Sequence, residues 1–131
     1  MKFEELREPK KFTIGNVEYY IAKIPAYYAQ RLLIKSGEAL KSFDVSKIPD
    51  DVLKELLSYT AVVNSKGDPI VLEDIETVNL LLGGDTKSLI AIEMQAIQEN
   101  FGFFLDGGLR EIFDPIVKRM IGEEKTSSQQ G

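Results

Sequence analysis

The chain has 131 residues, 44% apolar and 28% charged, enough for one folded domain whose core needs neither metal nor disulfide. Sixteen Lys and Arg against 21 Asp and Glu give a net charge of −5, which argues against a grip on nucleic acid or on an anionic membrane surface. Cysteine and histidine are both absent, which removes disulfides, thiolate and imidazole metal sites, and every Ser-His or Cys-His catalytic pair.

The opening residues, Met1 to Glu8, carry charges where a signal peptide needs an apolar run, and residues 1–9 read as polar and loosely held. No stretch approaches the roughly 18 apolar residues of a membrane span, so a cytoplasmic protein is expected. Lys11-Phe12-Thr13-Ile14 alternates polar and apolar, and Val17 to Ile24 is rich in β-branched and aromatic residues. With Gly15-Asn16 between them they predict a β-hairpin over 10–24. Two strands alone are marginal in water, so the hairpin must lie on the helices C-terminal to it.

Pro25 suits a helix start, and Tyr28, Ala29, Leu32, Leu33, Leu40 and Phe43 recur at helical spacings over 26–42. Gly37 weakens the middle of that helix by about 1 kcal/mol relative to alanine. Pro49-Asp50-Asp51 starts a second helix with a stripe of Val52, Leu53, Leu56, Leu57, Thr60 and Val63. Asn64 to Pro69 is dense turn punctuation. Its flanks, Ala61-Val62-Val63 and Ile70-Val71-Leu72, read equally well as a second hairpin or as a helix end followed by a loop. A short helix over Glu73–Leu82, with Ile75, Val78, Asn79 and Leu82 on one side, stops at Gly83-Gly84. Asp85 reads as the N-cap of a helix reaching Asn100, with Leu89, Ile90, Met94, Ile97 and Phe101 facing the core. Gly102 to Gly108 breaks it, and Leu109, Ile112, Phe113, Ile116, Val117 and Met120 take up the helical period again. Pro115 either kinks that last helix or lies in its first turn after Asp114. Residues 122–131 are expected to be a disordered tail.

The expected architecture is thus mainly α within an α+β class: one domain over 1–121, a β-hairpin at 10–24 packed on about five helices within 26–121, and a loose tail.

The polar clusters all have local explanations. Gly84-Asp85-Thr86-Lys87-Ser88 echoes a phosphate loop, but Thr86 stands where glycine must let the backbone wrap a phosphate. A helix N-cap explains it better. Glu73, Asp74 and Glu76 fit a helix start, where carboxylates meet the positive end of the dipole. Asp106-Gly107-Gly108 lacks the alternating oxygens of a calcium loop and reads as a turn. No catalytic residue, cofactor or metal is therefore expected. What local structure leaves unclaimed is aromatic and apolar. Tyr20, one of a strand doublet, and Tyr27 with Ile34, off the main helical stripe, are candidates for partner contact. Phe101, Phe103 and Phe104, crowded around Gly102, either plug the core or leave an apolar patch.

Taken in order, these segments resemble the tail assembly chaperones of long-tailed bacteriophages. The likeness rests on Pro9 to Ile21 with Ile24-Pro25-Ala26, on Gly67-Asp68-Pro69-Ile70-Val71-Leu72 before a short helix, on Asn100-Phe101-Gly102-Phe103-Phe104, and on the polar tail. It spans most of residues 9–108. The resemblance implies a non-catalytic protein that engages the tape-measure protein and tail-tube subunits during tail morphogenesis, self-associates, works in the host cytoplasm and is absent from the finished virion. It also implies that a longer form can arise by frameshifting near the tail. A structural adaptor of the phage particle, such as a head–tail connector subunit, is the competing reading.

Overall fold

The computed structural model describes residues 1–42 and 44–105, the last three of these by their backbone alone. The order of elements is β1 (Lys10–Ile14), β2 (Val17–Ile21), α1 (Ala26–Ser42), α2 (Asp50–Leu57), β3 (Thr60–Val63), β4 (Pro69–Val71), α3 (Ile75–Leu82) and α4 (Thr86–Leu105). Single 3-10 turns lie at Phe3–Glu5 and Val45–Lys47. No helix among the described residues is long and apolar enough to cross a membrane.

The four strands form one antiparallel sheet in sequence order. This corrects the expectation of a mainly helical chain with one hairpin on about five helices. The fold is α+β, with a four-stranded sheet and four α-helices among the described residues. The residues behind the correction are Thr60 to Val63, which add to the open edge of β2 as Tyr19↔Val62 and Ile21↔Thr60. Burial on both sides suits their β-branched side chains. A lone hairpin needs partners, and a second hairpin supplies them. The helix expected over 109–121, Phe43, Pro115 and the tail lie outside the described residues.

Both hairpin turns arise from their residues. Gly15 takes φ +59° while Asn16 stays negative, the pattern of a type II′ turn joining strands with right-handed twist. In the β3–β4 loop the Asn64 side chain accepts the amides of Lys66 and Asp68 at 2.9 Å each, and Gly67 takes φ +86°. Pro69 begins β4 on the sheet edge, where a missing amide costs no ladder bond.

One face of the sheet carries Phe12, Tyr19, Ile21 and Val62 into the main core with Leu32, Leu33, Leu40, Val52, Leu56, Ile92, Ile97 and Phe101. Phe12 and Tyr19, paired across β1 and β2, stack with ring centroids 5.6 Å apart. Helix α4 lies between this face and helices α1 and α2. Enclosure on more than one side explains its broad buried surface of Ser88, Ile92, Glu93, Ala96, Ile97, Asn100 and Phe101. The expected stripe was rotated: Ile97 and Phe101 are buried, but Ile90 is exposed and Met94 only half-buried. The helix also runs through Gly102 to Leu105, with a kink at Phe101 (φ −129°, ψ 16°), where a break was expected. Helix α1 has a comparable kink at Ser36 (φ −139°, ψ 24°), beside the expected weak point at Gly37.

The other face of the sheet is covered by residues 1–9, which are not loosely held. Leu6 packs with Ala22, Ala61 and Val71, and the Phe3 ring meets Tyr20 edge-on at 5.0 Å. The Lys23 ammonium donates to the Glu99 carbonyl at 2.6 Å, and Lys10 reaches the Glu99 carboxylate at 3.8 Å. These contacts tie the hairpin to the end of α4.

Candidate functional site

Helix α1 begins immediately after Pro25, whose carbonyl accepts the Ala29 amide at 2.9 Å. That start sets Tyr27 and Tyr28 in the first turn, about 100° apart around the axis. Both face solvent, Tyr27 at 65% and Tyr28 at 54% exposure. Their rings meet edge-on with centroids 5.9 Å apart. Tyr28 was expected on the core stripe. It shares a helix face with Leu32, yet Leu32 is buried and Tyr28, in the first turn, is exposed. Ile34 is half-buried, seven residues after Tyr27 and so nearly in line with it along the helix. Arg31, exposed, stands between them on the same side.

Tyr59, just past the end of α2, is a further tyrosine that is half-buried and packs on both core clusters. Burial raises the Tyr59 phenol above its ordinary value, and Glu55 and Tyr28 add to that. The exposed aromatic surface is the Tyr27–Tyr28 pair, with phenol groups for hydrogen bonds and rings for apolar contact.

The other expected contacts are elsewhere. Tyr20 is half-buried under Phe3 on the opposite sheet face, so its ring is already engaged within the chain. Phe101 has 0% exposure and is a core residue, not a surface contact, because it follows Ile97 by one turn on the face of α4 that meets the main core. The side chains of Phe103 and Phe104 lie outside the described residues. Among the described side chains of the expected set, Tyr27 and Ile34 share one side of α1.

Sequence reasoning missed three exposed or partly exposed groups. Tyr59 gave no signal, because its packing against both core clusters is a tertiary fact. Leu80 did give one: the stripe of Val78 and Leu82 leaves it on the opposite side of α3, where it is 83% exposed. Ile75, read on the same side of the helix as Val78 and Leu82, is exposed at the helix start while those two are buried.

Two of the polar candidates, Asp85 and Asp74, are accounted for as helix caps, and the Glu73 carboxylate accepts a hydrogen bond from the Met1 ammonium at 2.8 Å. The Asp85 carboxylate accepts the Ser88 amide at 3.1 Å and the Ser88 hydroxyl at 2.7 Å, as an N-cap of α4. Those bonds hold its carboxyl below the usual range. Asp74 caps α3 through the Thr77 amide at 2.8 Å and is lowered for the same reason. Glu73, Asp74 and Glu76 line a shallow depression with Lys54 and Ile75. Asp106 lies outside the described residues. Among the described residues, no group of three or more acidic side chains is placed to hold a metal ion.

Comparison with protein-family models, with curated proteins and with solved structures finds no match to this chain.

Proposed function

We propose that the chain is a non-catalytic assembly protein of the tail-assembly-chaperone kind. It binds an apolar helical segment of the tape-measure protein, and tail-tube subunits, in the host cytoplasm while the phage tail is built. The observation that carries this reading is the exposed Tyr27–Tyr28 pair on the first turn of α1. A folded chain gains nothing by leaving two rings in water, whereas tyrosine is among the commonest anchors of protein interfaces. The resemblance of residues 9–26, 67–72 and 100–104 to that family supports it too.

The test is co-purification of the full chain with a tape-measure fragment and with tail-tube protein. Retention of either is expected, and the Tyr27→Ala/Tyr28→Ala double variant should bind roughly ten- to a hundredfold more weakly. Recovery of neither protein sinks the assignment. Undiminished binding by the double variant moves the contact to another surface.

A further inference from the structure

Residues 1–9 form a strap across the sheet face opposite the main core. Its grip is Phe3, edge-on to Tyr20 at 5.0 Å, Leu6, 7% exposed among Ala22, Ala61 and Val71, and the Met1 ammonium, which donates to the Glu73 carboxylate at 2.8 Å. The strap joins β1 through Arg7, Glu8 and Pro9, of which Arg7 and Glu8 are exposed. Glu8 has φ +44°, the one non-glycine residue with positive φ among those described. A side chain resists that conformation, and the adjoining proline ring independently favours an extended residue before it. Two local preferences therefore oppose the reversal that lays the strap over its own sheet. An extended Glu8 satisfies both, and it carries Phe3 and Leu6 away from their own copy.

We propose that the strap exchanges between two copies of this chain, with Phe3 and Leu6 of each seated on Tyr20, Ala22, Ala61 and Val71 of the other. The occupant is a second copy because the seat is already shaped to this segment, and every copy carries both. Closed and exchanged forms bury the same apolar contacts. Their balance is then set by the hinge at Glu8 against the entropy of association, the situation in which exchange of an element is easily reached. Exposed Arg7 and Glu8 need shed no water to straighten. This inference is independent of the tail-assembly reading, since it concerns the chain alone.

Sedimentation equilibrium of the full chain tests it through the hinge. Glycine accepts positive φ, so Glu8→Gly relaxes the closed form and should weaken the dimer about tenfold relative to the parent. Proline is fixed near φ −65°, so Glu8→Pro forbids closure and should tighten the dimer by about tenfold or more. Leu6→Asp, and Phe3→Ala as a milder second variant, should weaken association in the Glu8→Pro background. That ordering supports exchange. A monomeric Glu8→Pro chain, equal dissociation constants in all three hinge forms, or dimers indifferent to both Leu6→Asp and Phe3→Ala overturns it.

Discussion

The side-chain oxygen of Asn100 accepts the backbone amide proton of Ile24 at 2.8 Å, joining positions 76 residues apart. The Asn100 amide nitrogen in turn donates to the Ala96 carbonyl at 3.1 Å, one helical turn back. Both bonds are buried. Ile24 has left β2 but not yet entered α1, so it has no regular partner for its amide. Asn100 supplies one, and thereby fixes the chain two residues before α1 starts at Ala26. Replacing Asn100 with alanine strands that amide in the core, at a cost of about 1–3 kcal/mol. Urea unfolding of Asn100→Ala should show that loss. Client binding should weaken as well, because the start of α1 loses its anchor.

Phe101 and Tyr27 were candidates of one kind from sequence, and the structure separates them. Phe101→Ala opens a cavity in the main core, with an expected loss of about 3–5 kcal/mol in chemical denaturation. Tyr27→Ala removes an exposed ring, and its stability should stay within about 0.5 kcal/mol of the parent. Equal destabilisation by the two would show that Tyr27 is packed in solution.

Glu93 is 8% exposed on α4, and burial, followed by the charge of Asp50, raises its carboxyl from 4.5 to about 6. The folded state thus favours the protonated form. Its contribution to stability is complete below pH 4.5 and is lost as pH rises through about 6. Near neutral pH the chain carries a buried charge whose cost is at most about 2 kcal/mol. Glu93→Gln, neutral at every pH, should raise the melting temperature near neutrality by a few degrees. The two chains should converge when titrated down to about pH 4. An unchanged gap between their melting curves across that range would contradict a raised carboxyl.

Gly83 ends α3 with φ +57° and ψ −128°, and its amide donates to the Asn79 carbonyl at 2.8 Å. A Cβ there meets no atom within 4 Å, so the penalty of alanine is conformational alone. Gly83→Ala should cost about 1–3 kcal/mol. Gly84→Ala, with open space and no positive φ, should be close to neutral. Thermal unfolding of the pair separates a backbone requirement from a packing one.

What the sequence determined by itself was local. The alternation in Lys11 to Ile14 specified β1, and Gly15 specified the turn after it. Pro25 and Pro49 marked the starts of α1 and α2, and Asp85 the cap of α4. Each of these depends on neighbours within a few positions, so a linear reading suffices. The Tyr27 side chain was legible for the same reason, as a large residue off the stripe of Leu32, Leu33 and Leu40.

Other features depended on distant parts of the chain. Ala61 to Val63 suit a strand or a helix end, and the choice was made by the free edge of β2 at Tyr19 and Tyr20. Residues 1–9 look polar, yet Phe3 and Leu6 find a sheet face that exists only once β2, β3 and β4 are assembled. Helix α4 buries more than one stripe because the sheet lies on one side and α1 and α2 on another, which is why Glu93, Asn100 and Phe101 are inside. Tyr59 is half-buried because it meets both core clusters, whose members come from distant parts of the chain. Tertiary structure decided these points because burial belongs to the surface a residue meets, and that surface lies far away in sequence.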